Sequence, residues 1–244
     1  MARVRVHNLM VSLDGYAAGP DQSVDAPMGV GGEHLHGWVF ETRYGRAMIG
    51  ADGGTTGVDD QWLVGGDRGI GATVMGRNMF GPVRGPWPDE SWRGWWGEEP
   101  PYHHPVFVVT HHARPPLQVG ETTFHFVTDG LESAMSQAVD AADGLDVRLG
   151  GGVSTVAAAL RADLVDDLHL AVVPVLLRAG ARLYDDLGRW PDGFTCARSA
   201  AGEGAMHLYF TRTVDGRHEP SAARTSASVA PRSPTASWCQ KTSG

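Results

Sequence analysis

A run of three glycines, residues 150–152, stands where a strand pattern meets a helix pattern. The strand pattern DVRL precedes the glycines, and the helix pattern STVAAALRA follows them. Because the N-terminus of a helix exposes backbone N–H groups and the positive end of its dipole, this order suits a bound phosphate. A plain tight turn is the alternative, since the segment is not the G-x-G-x-x-G of a Rossmann fold. The candidate binding residues are Gly150, Gly151, Gly152, Val153, Ser154 and Thr155.

A second candidate anion site lies at the ends of two other strand patterns. In TVMGRNMFGP, Gly76, Arg77 and Asn78 follow a buried strand pattern, and Thr110 ends the apolar run VFVVT. The arginine fork can donate two parallel hydrogen bonds to a phosphate. Ligands of open α/β sheets also collect at the carboxyl ends of strands. Ordinary turns are the alternative interpretation of these residues.

A third segment, MVSLDGYAAGP, takes the first strand pattern into a corner of small residues. Asp14 and Gly15 begin the corner, and Ala17 and Ala18 continue it. Small residues let a ligand approach the backbone closely. A turn that merely ends a strand is the alternative.

Composition excludes several kinds of chemistry. The sole lysine, Lys241, lies near the end of the chain, so a Schiff-base enzyme and a P-loop both lack their essential amine. The only cysteines, Cys196 and Cys239, support neither a disulfide framework nor a cysteine zinc site. Histidine pairs at 103–104 and 111–112 lie at opposite ends of one strand pattern and cannot share a metal. The sequence therefore predicts no metal site.

Charge and hydropathy indicate a globular protein with a small-molecule partner. The apolar fraction is 42%, the charged fraction is 20% and the formal net charge is -8. A negative chain without a basic patch has no general attraction for nucleic acid or for an anionic membrane. The N-terminus also lacks the apolar core of a signal peptide, so we expect a cytoplasmic protein.

Strand and helix patterns alternate along residues 1–215, which favours one α/β domain with helices on both faces of a sheet. The last two strand patterns follow closely and predict an antiparallel edge on a mixed, mostly parallel sheet. Residues 216–244 are poor in large apolar side chains and predict a disordered tail. The Trp-rich stretch 86–101 indicates packing or a subunit contact, with substrate contact as the alternative. Strands are predicted at 3–11, 72–75, 106–109, 124–127, 147–149, 168–175 and 206–213, and helices at 59–70, 131–142 and 155–162.

Taken together, SLDGYAAGP, VMGRNMFG, PVFVVTHHARPP and VRLGGGVSTVAAALRADLVDDLHLAVVPVLLRAGARLYDD resemble the dihydrofolate-reductase-like superfamily. Their order and spacing are similar to those of stand-alone proteins related to the reductase domain of bifunctional riboflavin biosynthesis enzymes. The resemblance covers about residues 3–214. It implies a three-layer α/β/α fold with a mixed, mostly parallel central sheet, and NADPH lying across the strand ends.

The resemblance also implies roles for the three segments. Ala17 and Ala18 would lie near the nicotinamide, and residues 76–78 with Thr110 would hold the adenosine side and its 2′-phosphate. Residues 150–155 would receive the pyrophosphate. Asp14 is then the acidic residue nearest the nicotinamide, so it is a candidate catalytic proton relay or ribose contact. An aspartate that only closes the turn is the alternative.

The function implied is an NADPH-dependent reductase that transfers a hydride to a pteridine, a pyrimidine or a riboflavin-precursor-like heterocycle, such as 5-amino-6-(5-phosphoribosylamino)uracil. The chain departs from the resemblance at His7 and Asn8, where the riboflavin reductases carry a lysine, and at Arg178, where relatives commonly have glycine. It also lacks the zinc deaminase signature. A non-catalytic module that binds or senses a nucleotide cofactor or a flavin is the alternative. A homodimer is expected from the resemblance.

Overall fold

The computed structural model describes residues 2–81, 85–185, 187–188 and 190–213. In chain order the strands are β1 (Val4–Ser12), β2 (Tyr16–Ala18), β3 (Ile70–Gly76), β4 (Val106–Val109), β5 (Leu117–Val119), β6 (Thr122–Val127), β7 (Asp146–Gly151), β8 (Asp167–Val173), β9 (Ala181–Arg182), β10 (Phe194–Ala201) and β11 (Met206–Arg212). The helices are α1 (Gly37–Glu41), α2 (Arg43–Met48), α3 (Val58–Gly66), α4 (Arg77–Phe80), α5 (Leu131–Ala141) and α6 (Val153–Arg161), and a 3₁₀ turn covers Gly32–Leu35.

Nine strands form one mixed sheet in the order β10-β11-β8-β1-β7-β3-β4-β6-β5. The six strands from β8 to β6 are parallel, whereas β11, β10 and β5 pair antiparallel with their neighbours. The predicted mixed, mostly parallel sheet with an antiparallel edge is therefore confirmed. Since the parallel strands share a direction, the carboxyl ends of β1, β7, β3 and β4 lie at one edge, the carboxyl edge.

Helices cover both faces of this sheet and bury its apolar side chains. Between the sheet and α5 with α6, the buried core includes Val74, Ala134, Ala138, Leu149 and Leu160. On the opposite face, α1 and α3 pack against β8 through Trp38, Val39, Leu63, Ala171 and Val173. Full burial of a Val or Leu side chain contributes about 1.5–3 kcal/mol. The result is the predicted three-layer α/β/α arrangement.

Strand β1 contains a bulge at its middle. Its register against β8 shifts between Val6, which pairs with Leu168, and Leu9, which pairs with Leu170. Asn8 lies in the left-handed region with a φ of 57°, a conformation that asparagine tolerates better than most residues. The extra residue reverses the alternation of side chains along the rest of the strand.

The Trp-rich stretch forms a third core beside β4 and β6. Trp96 is buried and stacks on Phe124 with 5.8 Å between ring centroids. Trp92 donates a hydrogen bond from Nε1 to the Phe80 carbonyl at 2.9 Å. Packing thus accounts for these two tryptophans. Trp87, by contrast, lies at the carboxyl edge, against the Arg77 guanidinium group.

Some element boundaries differ from the prediction. The helix predicted at 59–70 ends at Gly66, because Ile70 already begins β3. Strand β10 was not predicted, since most of its side chains are exposed and its sequence carries no apolar signal. Within the described residues, no helix is long and apolar enough to cross a membrane. The predicted tail, 216–244, and the predicted domain boundary at 215 lie outside the described residues.

Candidate functional site

The three predicted binding segments meet at the carboxyl edge. Gly76 at the end of β3 pairs with Val109, the residue before Thr110, and Met75 pairs with Gly151. The corner that begins at Asp14 follows the carboxyl end of β1, which pairs with β7. Segments that are far apart in the sequence therefore form one continuous edge.

Gly76 brings the end of β3 directly against the first turn of α6. A Cβ atom at Gly76 would lie 2.3 Å from Thr155 Oγ1 and 3.5 Å from the Gly152 nitrogen. The first distance is too short for any residue other than glycine, whereas the second is an ordinary van der Waals contact. Gly152 is the N-cap residue of α6, and its carbonyl accepts from the Thr155 and Val156 amides, so the Val153 and Ser154 N–H groups are the ones without an intrahelical acceptor. This geometry can receive an anion.

The other two glycines of the run are packed against α4. Cβ atoms on Gly150 and Gly151 would approach the Met79 side chain at 3.5 and 3.3 Å. Gly151 has a φ of 126°, and the Gly151–Gly152 peptide bond is cis. The side chain of Ser154 is exposed at the start of α6, and Val153 is half-buried. The glycine run is thus a tightly packed strand-to-helix connection.

Arg77 has a guanidinium group with unused hydrogen-bond capacity. Its Nη1 donates to Thr110 Oγ1 at 3.3 Å and to the Gly85 carbonyl at 3.4 Å. Its Nε and Nη2 are shielded from solvent and have no acceptor among the described residues. Its Cζ lies 3.1 Å from the centroid of the Trp87 ring. Burial, and then the neighbouring Arg114, lower the pKa of Arg77.

Arg114 is a buried cation near half-buried Arg77, and sequence reasoning did not single it out. It is 8% exposed, and its Cζ lies 5.0 Å from the centroid of the same Trp87 ring. Nη2 donates to the Glu90 carbonyl at 2.7 Å, whereas Nη1 is buried and has no acceptor within the part of the chain that the structure describes. Burial also lowers the pKa of Arg114. The signal in the sequence was its place four residues after Thr110, in the loop that follows β4.

In the described part of the chain, neither arginine forms an ion pair within 4.0 Å, and the nearest carboxylates are Asp89 and Glu90, whose charges raise the pKa of Arg114 against the larger effect of burial. Burying a cation without a partner is costly, so a bound anion would be favoured here. A cavity of about 530 Å³ opens beside them. It is lined by Pro86, Trp87, Asp89, Glu90, His111, His112, Ala113 and Arg114.

Trp87 and Thr110 are both tied to the loop after β4. Trp87 Nε1 donates to the His112 carbonyl at 3.0 Å, and the His112 amide donates to Thr110 Oγ1 at 3.2 Å. The indole thus presents its ring to Arg77 in a fixed orientation. Asn78, the neighbour of Arg77, is half-buried in α4, and its binding role stays a prediction.

Asp14 holds the corner to a distant loop. Its carboxylate accepts hydrogen bonds from Ser12 Oγ at 2.5 Å, from the Arg178 amide at 2.8 Å and from the Leu177 amide at 3.2 Å. These donors, Ser12 first, lower the pKa of Asp14, so the group is a carboxylate at neutral pH. This geometry suits an anchor. The catalytic role predicted for Asp14 stays a prediction.

Ala17 and Ala18 lie in the short strand β2, next to the anchored corner. Ala18 pairs with Ala181 of β9, and both alanines are half-buried. A Cβ atom on Gly180 would lie 2.1 Å from the Ala18 carbonyl oxygen, so the two segments are in close contact. Arg178 occupies the left-handed region with a φ of 65°. That conformation explains why glycine suits this position.

The carboxyl edge carries no recognisable metal centre: in the described ranges, no three His, Cys, Asp or Glu side chains cluster in a way that could hold a metal ion. The hydrogen-bonding groups along this edge are arginine side chains, the Thr110 hydroxyl and backbone N–H donors. Donors of this kind recognise phosphate groups.

Comparisons with known proteins identify the family and the fold. The family model of the RibD C-terminal domain matches residues 4–200, and no curated protein matches the sequence. A solved structure of a candidate riboflavin biosynthesis protein from Shewanella sp. PV-4 is 22% identical, with a TM-score of 0.55 over 88% of this chain and 100% of that chain. A pyrimidine reductase-like protein from Corynebacterium diphtheriae is 14% identical, with a TM-score of 0.50 over 88% of this chain and 93% of that chain. The predicted dihydrofolate-reductase-like fold is confirmed.

Proposed function

Because the chain belongs to the RibD C-terminal domain family, we propose that it is a reductase that binds NADPH along the carboxyl edge and reduces a small heterocycle. The observation that carries the choice of cofactor is a pair of arginines, half-buried Arg77 and buried Arg114, which within the described residues keep three shielded guanidinium nitrogens without an acceptor. A 2′-phosphate is the group that distinguishes NADPH from NADH. Two cations around one phosphate would offset the cost of their burial.

The residues present fit such a cofactor at two places. Arg77, Arg114 and the Thr110 hydroxyl would hold the 2′-phosphate, and the Trp87 ring that lies against both guanidinium groups would keep them in position. The Val153 and Ser154 backbone N–H groups at the start of α6 would donate to the pyrophosphate.

NADPH supplies a hydride when bound, and the protein must orient the acceptor, exclude water and supply a proton. Ala17 and Ala18 would leave space for a flat ring against the backbone of the β1 corner. Asp14 would keep this corner closed through its bonds to the Leu177 and Arg178 amides. The substrate class we propose is a pyrimidine, pteridine or riboflavin-precursor-like ring.

A second candidate function follows from the ionisation and the hydrogen bonds of the Asp14 carboxylate. Its carboxylate is ionised and already accepts three hydrogen bonds, so it is poorly suited to give a proton. A module that binds the cofactor without turnover would have the same geometry. NADPH oxidation against a panel of pyrimidine, pteridine and flavin acceptors separates the two candidates. Turnover supports the reductase, and tight binding without turnover supports the sensor.

Cofactor affinity tests the proposal directly. We expect NADPH to bind more tightly than NADH, and we expect Arg77→Leu and Arg114→Leu each to weaken NADPH binding by about 10- to 100-fold, the value of a hydrogen bond to a charged group. Neither change should alter NADH binding. Arg46→Leu, on the exposed surface of α2, is the matched control and should change neither affinity.

Titration calorimetry or cofactor-dependent thermal shift gives these affinities. Equal affinity of the wild type for both cofactors, or an equal loss for both in the variants, would contradict the assignment of the two arginines. Absence of any NADPH binding at saturating concentration would contradict the proposed function as a whole.

A further inference from the structure

A chain of buried polar groups crosses the opposite half of the molecule from the arginines. His169 on β8 and His207 on β11 are both 0% exposed, and Asp59 at the start of α3 is 2% exposed. His169 Nε2 lies 3.0 Å from His207 Nδ1, and His207 Nε2 lies 2.8 Å from Asp59 Oδ1. The Trp62 ring stacks on both imidazoles, at 4.5 and 5.2 Å. None of these groups belongs to the carboxyl edge.

The Asn8 end of this series of hydrogen bonds determines which nitrogen of each imidazole ring carries a proton. The Asn8 amide donates to His169 Nδ1 at 3.2 Å, so this nitrogen is an acceptor and the ring proton of His169 is on Nε2. His169 therefore donates to His207 Nδ1, and His207 donates from Nε2 to the Asp59 carboxylate. Burial lowers the pKa of His169 to about 2 and also lowers that of His207. Both rings are neutral, and all the hydrogen bonds run in one direction.

Asp59, the last acceptor in this series of hydrogen bonds, is held in place by the turn between β10 and β11. The Gly204 amide donates to Asp59 Oδ2 at 2.7 Å. A Cβ atom on Gly202 would lie 1.7 Å from Asp59 Oδ1, so this turn closes on the carboxylate only because the residue is glycine. The Glu203 carboxylate accepts from the amides of Val58 and Asp59 at the start of α3. These contacts immobilise the Asp59 carboxylate.

The first donor in the series is the Asn8 amide, which lies in the β1 bulge. Before the bulge, Val6 packs into the core beneath α5 and α6, and after it Leu9 packs into the same core. Met10 packs on the opposite face, beneath α1 and α3. Without the extra residue, side chains from Leu9 onward would exchange faces. The bulge therefore decides on which face Ser12 lies.

Ser12 is the residue that organises the corner of the site. Its Oγ donates to Asp14 and accepts from the Tyr16 amide at 2.9 Å. Asp14 in turn accepts from the Arg178 amide. A change in the conformation of the bulge would move Ser12, and through its hydrogen bonds it would also move Asp14 and the corner.

We propose that His169 is a positioning residue for the carboxyl-edge site: it holds the Asn8 amide, and so the bulge that places Ser12 and Asp14, while His207 and Asp59 keep its tautomer. The expected effect of His169 on NADPH affinity rests on the proposed function. Its structural steps are measured without any ligand.

Glutamine is the conservative replacement. A Gln side chain carries one acceptor and one donor, so His169→Gln can accept from Asn8 and donate to His207, whereas His169→Leu can do neither. His104→Leu is the control, because His104 is a half-buried histidine that bonds to Thr73 Oγ1 at 2.8 Å and has no place in the path from Asn8 to Asp59. We expect it to lower stability while the hydrogen bonds from Asn8 to Asp59 stay intact.

Amide hydrogen exchange in the free protein is the first measurement. In His169→Leu, exchange at Asn8, Tyr16 and Arg178 should accelerate about tenfold, the effect of one lost hydrogen bond. His169→Gln should restore the wild-type rates, and His104→Leu should leave these three amides unchanged. Acceleration at Asn8 alone, with Tyr16 and Arg178 protected as in the wild type, would overturn the proposal.

Two further measurements complete the test. Nitrogen NMR of the wild type should show His169 and His207 as neutral rings protonated on Nε2, and a proton on Nδ1 of His169 would overturn the proposal even if His169→Leu does not fold. NADPH affinity should fall about tenfold in His169→Leu and recover in His169→Gln. Wild-type protein that binds no NADPH would contradict the proposed function, while the exchange and NMR results would still decide the role of His169.

Discussion

Asp14 connects two loops through a single carboxylate. Its oxygens accept from a serine hydroxyl and two backbone amides, and these bonds hold its pKa below the usual 3.8. A group with a lowered pKa in the folded state stabilises that state above the unfolded pKa and loses this effect as the pH falls through the folded pKa. The stabilisation from Asp14 is therefore complete throughout the neutral range.

We expect Asp14→Asn to lower the unfolding midpoint, because the amide group supplies one acceptor oxygen instead of two. The deficit relative to the wild type should be constant between pH 7 and about pH 5, since the carboxylate stays ionised there. Urea unfolding followed by circular dichroism measures it. A deficit that shrinks steadily from pH 7 to pH 5 would instead indicate a carboxyl group that titrates near neutrality, as a proton relay would.

Arg178 carries a conformational cost that glycine would remove. A non-glycine residue in the left-handed region costs roughly 1–2 kcal/mol, while glycine loses more entropy on folding. We expect Arg178→Gly to raise the free energy of unfolding by about 0.5–1 kcal/mol. Arg178→Ala, which keeps the same conformation, should not. Chemical denaturation of the two variants checks this expectation, and equal effects would show that the side chain matters more than the backbone.

At the scale of elements, the contact between β3 and α6 depends on Gly76. A methyl group there would meet Thr155 Oγ1, and overpacking of this kind costs about 1–3 kcal/mol. We expect Gly76→Ala to lower the free energy of unfolding by that amount, and Gly76→Ala with Thr155→Ala to recover part of it. Thermal and urea unfolding measure both variants.

Gly65 offers the matched control in α3. No atom lies within 4 Å of a Cβ atom built there, and alanine is favoured over glycine in a helix by about 1 kcal/mol. Gly65→Ala should therefore stabilise the protein slightly. Destabilisation by both alanines to the same extent would contradict the packing argument at Gly76.

Elements with strong apolar patterns could be predicted from the sequence, whereas features set by distant partners could not. The strand at Val106–Val109 and the helix at Leu131–Ala141 follow from local apolar spacing. The bulge at Asn8 depends on pairing with β8, about 160 residues later, and leaves no local signal. Arg114 and Trp87 were missed as a pair because they converge only once the Trp-rich stretch packs on β6.

The whole molecule contains several histidines that the fold keeps neutral. Burial lowers the pKa of His7 to about 3 and that of His104 to about 4. Below the ordinary value of 6.5, the unfolded chain binds protons that the folded protein excludes, so stability decreases as the pH falls. Each such histidine contributes up to about 1.4 kcal/mol per pH unit in this range.

We expect the free energy of unfolding to fall between pH 6.5 and pH 4, and His104→Gln to make this slope shallower. Glutamine keeps a partner for Thr73 but does not titrate. Urea unfolding at several pH values measures the slope. An unchanged slope in His104→Gln would mean that His104 does not contribute to acid sensitivity.

The position of β1 in the sheet has a consequence for synthesis on the ribosome. Both of its neighbours are C-terminal to it by well over a hundred residues, since Val4 pairs with Val147 and Val6 pairs with Leu168. At roughly 5–20 residues per second, the nascent strand waits on the order of 10 s before either partner emerges. During that time β1 lacks both of its sheet partners, so we expect the centre of the sheet to assemble late and the nascent chain to be most prone to aggregation before it does.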